Sequence, residues 1–281
     1  MSNIYSINLQ ANEEDKLFET FKDTAVTPPK YAKWQLRPEN CVITCYESGK
    51  TVFQGKDASI YASAFIQQED EIFPQAGSDE VGTGDYFGPV CVCAAYVDKT
   101  NEEFLLNLKV KDSKAISDQT ILDIAPKIMK QIPYTILILD NPKYNAVHKS
   151  NNLNEIKSKL HNQAYINLSK KITLPALKVI DQFTPEKSYY AYLRNEKIVI
   201  RDISFYTKAE NKYISVACAS IIARYAFLQE FEKMEKKYTM QFKKGSGKEV
   251  DICAKEFVEK YGFDALEDVA KIHFKNTERI E

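Results

Sequence analysis

Two short runs constrain this chain more than any other feature: YTILIL at 134–139 and ALKVI at 176–180. Each is almost wholly apolar, each has the length of a strand, and each is followed by an aspartate, Asp140 and Asp181. A strand with one wet face alternates apolar and polar side chains. An apolar run with little alternation is what a strand covered on both faces carries. From residue 78 the pattern predicts strands at 90–97, 134–139, 176–180 and 197–204, and helices at 102–108, 118–130, 152–171, 213–237 and 251–260. Strands and helices in alternation make an α/β domain, a mixed central sheet with helices on its faces.

The first 67 residues read as a separate, small α+β unit. Leu17, Phe18 and Phe21 form one helical stripe within residues 12–24. From Tyr31 to Arg37 the side chains alternate: Ala32, Trp34 and Leu36 face one way, and Tyr31, Lys33, Gln35 and Arg37 the other. That is a half-buried strand with a basic, aromatic outer face. Cys41–Tyr46 and Thr51–Gln54 flank the turn ESGK as a hairpin, and Asp57 starts a helix to about Gln67. The polar stretch 68–77, with its proline and glycine, reads as a linker to a domain at 78–281.

Charge and cysteine usage narrow the setting. The net charge is −1, yet residues 28–56 carry five basic against two acidic side chains and residues 208–248 nine against four. Two basic regions in a near-neutral chain are compatible with a polyanionic partner. No run of about 20 apolar residues and no signal-peptide pattern is evident, so the expectation is a cytoplasmic protein without a membrane partner. The six cysteines have neither CxxC spacing nor a histidine pair nearby, and read as buried, reduced thiols rather than zinc ligands.

The stretch GSDEVGTGDYFGPV at 77–90 holds the chemistry. GTGDYFG nearly matches a dinucleotide-binding glycine loop, but such a loop must open a helix, and here Pro89 leads into the strand VCVCAAYV. KKGSGKE at 243–249 lacks the first glycine and the Ser or Thr of a phosphate-binding P-loop. The carboxylates are more informative. Asp79 lies at the start of the sheet domain, Asp140 and Asp181 end predicted strands, and strands ending in aspartate deliver acids to one sheet edge. Converging acids raise one another's pKa unless a cation lies between them, and oxygen-only donors favour Mg2+ or Mn2+. Asp140, followed by Asn-Pro, is better read as a turn residue. Asp79 and Glu80 are adjacent, so on a regular strand they point to opposite faces. Both reach one metal site if the strand breaks at the pair, which Gly82 and Gly84 would allow.

With these residues in view, the chain resembles ribonuclease HIII, of the type 2 ribonuclease H family. SDEVGTGDYFGPVCVCAAYV at 78–97 looks like the family's first motif, with Thr83 where type HII enzymes carry an arginine. KDSKAISD at 111–118, YNAVHKSNNLNEIKSKLHNQAYINL at 144–168, VIDQF at 179–183 and TKAENKYISVACASIIARYAFL at 207–228 match four further motifs in order. The segment PPKYAKWQLRPENCVITCYESGKTVFQGK at 28–56 is similar, more loosely, to the family's extra N-terminal domain, which resembles the TATA-binding-protein fold and holds substrate.

The resemblance implies a ribonuclease H-like mixed sheet, plus a TBP-like α+β domain at 1–67. It also implies an endonuclease that cuts the RNA strand of RNA–DNA hybrids, leaving 5′-phosphate and 3′-hydroxyl ends, as a monomer. Asp79, Glu80, Asp181 and Glu210 become the catalytic, metal-binding acids for two divalent ions, Mg2+ or Mn2+, and Asp140 drops out. The backbone of Gly82, Thr83 and Gly84 would lie against a ribose, with Lys114 either meeting a phosphate or anchoring Asp112. Tyr31, Lys33 and Arg37 would grip the hybrid. His161, beside Asn162 on a predicted helix, reads as satisfied by a local hydrogen bond. Two other activities are weighed. Nicking beside single ribonucleotides embedded in duplex DNA is disfavoured by Thr83, and a non-catalytic hybrid-binding role is disfavoured by the complete set of four acids.

Overall fold

A computed structural model describes residues 3–63, 65, 72–110 and 116–280. The chain divides into two compact units, with the boundary between residues 71 and 72.

The first unit is an antiparallel sheet with helices. Its elements are β1 (Asn3–Asn8), α1 (Ala11–Phe21), β2 (Ala25–Val26), β3 (Ala32–Leu36), β4 (Cys41–Tyr46), β5 (Lys50–Gly55) and α2 (Ala58–Ser63). The strand order is β1-β5-β4-β3-β2. Leu17, Leu36, Ile43 and Phe53 form its core, with Trp34 and Phe18 packed ring to ring at 5.7 Å. β1 was not legible in the sequence: as an edge strand its side chains stay largely exposed, and its apolar pattern is weak. Of the helix predicted to about Gln67, Ala58–Ser63 is seen; residues 64 and 66–67 lie outside the described residues.

The second unit holds β6 (Gln75–Val81), β7 (Val90–Val97), α3 (Glu102–Asn107), α4 (Asp118–Gln131), β8 (Tyr134–Leu139), α5 (Asn141–His148), α6 (Leu153–Ser169), β9 (Leu177–Asp181), α7 (Glu186–Tyr192), β10 (Ile203–Tyr206), α8 (Ile214–Tyr238), α9 (Lys248–Tyr261) and α10 (Lys275–Glu278). The sheet order is β10-β9-β6-β7-β8. β10, β9 and β6 run parallel, while β6, β7 and β8 pair antiparallel, a mixed sheet. Both its faces are covered, as the apolar runs require. Cys91, Cys93 and Ala95 of β7 pack in one core with α8, and Val90, Val92 and Ala94 pack in the other with α6.

α8 is long and apolar enough to cross a membrane by length and composition. Most of its first half, Ile214 to Ala223, is buried within the domain, so its apolarity belongs to the core. Its docking is close. A Cβ at Gly77 would stand 2.3 Å from the backbone nitrogen of Val216, so only glycine lets β6 and α8 approach this far. Gln75 Oε1 accepts hydrogen bonds from the Ser215 backbone at 3.1 Å and its hydroxyl at 2.8 Å, satisfying first-turn donors of the helix.

Two boundaries differ from expectation. Gln75, Ala76 and Gly77 belong to β6, not to a linker; residues 68–71 lie outside the described residues. The strand predicted at 197–204 is confined to Ile203–Tyr206. Asp202 takes a left-handed φ of +57°, which ends extended pairing before Ile203. Upstream, the side chain of Asn162 substitutes for a neighbouring strand: its Nδ2 donates to the Ile198 carbonyl at 2.8 Å and its Oδ1 accepts from the Ile200 N–H at 2.9 Å.

Candidate active site

The site stands on the ends of three adjacent parallel strands. Ser78 of β6 pairs with Ile180 of β9, so the next residues, Asp79 and Asp181, come side by side at one sheet edge. Tyr206 of β10 pairs with Asp181, and the chain then enters a 3-10 turn at Ala209–Asn211 that carries the buried Glu210. Asp181 Oδ1 accepts from the Ala209 N–H at 2.8 Å, tying this turn to the end of β9.

The break that the sequence predicts at Asp79–Glu80 does not occur. β6 keeps register with β7 through Asp79–Cys93, Glu80–Val92 and Val81–Cys91. The chain leaves the sheet at Gly82, whose φ is +95° and where a Cβ would stand 2.2 Å from the Pro89 carbonyl oxygen. The two acids therefore obey the period of two and point to opposite faces. Asp79 faces α8, where the Ser220 hydroxyl bonds to it. Glu80 faces α6, where Lys157 Nζ lies 2.7 Å from Oε1 and His161 Nε2 lies 2.8 Å from Oε2.

Their electrostatics diverge accordingly. Burial, then the neighbouring charges of Glu80 and Asp181, push the Asp79 carboxyl up to about 8, against hydrogen bonds from Ser220 and the Glu80 N–H. Burial also acts on Glu80, but the hydrogen bonds and charges of His161 and Lys157 outweigh it and hold its carboxyl below the ordinary range.

Among the described residues, no three His, Cys, Asp or Glu side chains converge closely enough to hold a metal ion as they stand. The opposite orientations of Asp79 and Glu80 account for part of this. The donor chemistry does fit a hard divalent cation: the set is all carboxylate oxygen. A buried Asp79 repelled by two neighbouring acids carries the penalty that a cation between them removes.

Asp140 ends β8 on the same edge but two strands from β6, roughly 10 Å at ordinary strand spacing. It is the N-cap of α5, accepting from the Lys143 N–H at 2.9 Å, so its carboxylate is committed locally.

The glycine turn is held from below. Gly245 N–H donates to Asp85 Oδ1 at 2.6 Å, and Gly88 N–H donates to the Val269 carbonyl at 2.9 Å. The fully buried Lys271 donates from Nζ to the carbonyls of Asp85 at 2.7 Å and Gly88 at 2.5 Å. Burial pushes its ammonium down to about 7. Gly84 is exposed, and a Cβ there would meet nothing within 4 Å, so the backbone of Thr83 and Gly84 is open to an incoming group. Lys114 lies outside the described residues.

In the first unit, the expected outer face is only partly realised. Tyr31 precedes β3 with a φ of +68° and is 65% exposed, and Arg37 follows the strand, also exposed. Lys33 differs. The β3–β4 register shifts between Ala32 and Trp34, a bulge, and Lys33 Nζ pairs with Glu14 Oε2 of α1 at 2.7 Å.

Three residues were missed or misread in the sequence. His161 makes long-range bonds, to Glu80 and, through Nδ1, to Ser78 Oγ at 2.7 Å. Lys157, one helical turn before it, shares its face; that i, i+4 spacing was the available signal. Lys271 carried no signal, because its partners are backbone carbonyls far away in sequence.

Comparison with known proteins agrees with this architecture. Residues 76–277 match the family model described as Ribonuclease HII, and residues 6–74 match one described as Domain of unknown function (DUF3378). Ribonuclease HIII of Bacillus mycoides (strain KBAB4) is 39% identical, covering 99% of this chain and 98% of the relative. Ribonuclease HIII of Geobacillus sp. (strain WCH70) is 42% identical, covering 89% and 88%. The crystal structure of Bst-RNase HIII in complex with Mn2+ superposes with a TM-score of 0.75 at 36% identity, covering 99% of this chain and 98% of that one.

Proposed function

The chain belongs to the ribonuclease HIII family, and we propose that it is an endonuclease hydrolysing the RNA strand of RNA–DNA hybrids to 5′-phosphate and 3′-hydroxyl ends. The observation that carries this reading is the side-by-side placement of Asp79 and Asp181 on parallel strand ends, with Glu210 on the turn that Asp181 anchors. Asp79, Glu80, Asp181 and Glu210 would hold two divalent cations, Mg2+ or Mn2+; the Mn2+ complex of Bst-RNase HIII supports this. When bound, such ions supply charge stabilisation for the attacking and leaving oxygens of a phosphoryl displacement.

The protein's own groups do the positioning. The turn at Gly82, Thr83 and Gly84 presents backbone to a ribose, and recognition of the 2′-hydroxyl there separates RNA from DNA. Lys271 and Gly245 fix that turn, so the contact is made by a rigid backbone. Tyr31 and Arg37 of the first unit would add contacts to the duplex. The reading extends to a cytoplasmic monomer, supported for the compartment by six buried cysteine thiols.

The test offers four substrates with Mg2+ or Mn2+: a continuous hybrid, a duplex with one embedded ribonucleotide, double-stranded RNA and double-stranded DNA. The expected result is cleavage of the continuous hybrid, lost in Asp79→Asn. Preference for the single ribonucleotide would move the protein to type HII specificity. Equal activity of Asp79→Asn would overturn the site.

A further inference from the structure

Each of the two carboxylate oxygens of Glu80 is met by a nitrogen of the protein's own side chains. Lys157 Nζ takes Oε1 at 2.7 Å and His161 Nε2 takes Oε2 at 2.8 Å. The arrangement is built, not incidental. Lys157 is 7% exposed and His161 fully buried. His161 is anchored by Ser78, whose hydroxyl donates to the Cys93 carbonyl at 2.7 Å and so accepts from His161 Nδ1. Phe183 stacks on His161 at 5.2 Å and its ring centroid lies 4.0 Å from Lys157 Nζ.

A divalent ion held by Oε1 at about 2.1 Å would stand less than about 5 Å from Nζ, and the two positive charges would repel. The ammonium and the ion therefore compete for one carboxylate. The ring of Phe183 offers Lys157 a second cradle, through a cation–π contact already in place.

We propose that Lys157 is an internal stand-in for a divalent cation: in the metal-free protein it holds Glu80 Oε1 while His161 holds Oε2, and it surrenders that oxygen when an ion binds. This rests on the proposed function in taking Glu80 as a metal ligand. It reverses the usual role of a residue behind a ligand, which orients the ligand and strengthens metal binding. Lys157 is here a positioning residue whose removal tightens metal binding.

The experiment uses the full-length, metal-free protein with Mn2+ as the probe at one fixed pH, read by calorimetry and thermal unfolding. Lys157→Met keeps the apolar stem and removes the charge. It is expected to tighten Mn2+ binding on the order of tenfold and to lower the unfolding temperature without metal. At saturating Mn2+ that temperature gap closes. In the Glu80→Gln background, Lys157→Met has no effect on Mn2+ affinity. Unchanged or weaker Mn2+ binding by Lys157→Met overturns the inference, as does equal tightening in both backgrounds, which would make Lys157 only a nearby charge. If Lys157→Met does not fold, a crystal structure of the unmodified protein with Mn2+ decides. Lys157 Nζ should lie beyond about 3.5 Å from Glu80, and a retained ion pair overturns the inference. The parent reading fails separately, if Asp79→Asn binds Mn2+ as the unmodified protein does.

Discussion

Asp79 and Glu80 are covalent neighbours with opposite surroundings. Asp79 faces α8 and meets burial and like charge, relieved by a hydroxyl and an N–H. Glu80 faces α6 and meets Lys157 and His161. One residue along a strand is one face of the sheet, and the two faces carry different electrostatics. A cation lowers the penalty on Asp79; on Glu80 the protein already supplies one.

The largest effect expected is on turnover. Asp79→Asn should cut hybrid hydrolysis by about a thousandfold or more, as loss of a central catalytic group does; a steady-state assay over a range of Mn2+ concentrations checks this. The comparison itself is broken or upheld by the stability of the metal-free variants. Glu80→Gln leaves Lys157 and His161 facing a neutral amide and should cost about 3–5 kcal/mol, the range for breaking one side of a buried ion pair. Asp79→Asn replaces a carboxyl that must take up a proton to fold at neutral pH, so it should leave stability there equal or higher. Denaturant unfolding in the presence of a chelator measures both, and losses of equal size would show that the two faces do not differ.

The pH dependence follows from the same contrast. The Asp79 carboxyl stands at about 8 in the fold against an ordinary 3.8. The folded state thus binds this proton more tightly, so the contribution is fully present below about pH 4 and is lost as pH rises through 8. Metal-free stability should decline across that window, and Asp79→Asn should flatten the decline. A decline that persists in the variant would assign it to another group.

Two glycines provide a smaller contrast. Gly77→Ala forces a Cβ against the α8 backbone and should destabilise by about 3 kcal/mol. Gly84→Ala meets open space and should stabilise by up to about 1 kcal/mol while weakening hybrid binding. Unaltered hybrid affinity in Gly84→Ala would remove that backbone from the substrate contact. Smallest is the contrast in the first unit. Arg37→Ala should reduce the slope of log affinity against log salt by about one. Lys33→Ala should leave that slope unchanged, because Glu14 already balances its charge.

How much of this was legible depended on range. β7 and β8 occur at their predicted bounds, and α4, α6 and α8 lie within one or two residues of theirs, because burial on both faces writes apolar runs and helical stripes directly into the chain. Asp181 was readable as an acid at a strand end, and Asp79 only as an acid at the start of the sheet domain. Glu210 was reached by family resemblance alone, since a glutamate in a turn has no local signature.

Sequence by itself determined the α/β class and the delivery of aspartates to one sheet edge, and the family motifs nominated the four acids. Tertiary structure decided the rest. It set where β6 ends, because that depends on the Pro89 carbonyl beside Gly82. It committed Asp140 to a helix cap and turned Lys33 to Glu14. It also brought Lys157 and His161, about eighty residues away in sequence, onto Glu80. Local pattern follows from covalent spacing and burial, whereas a carboxylate's charge state follows from whatever the fold packs against it.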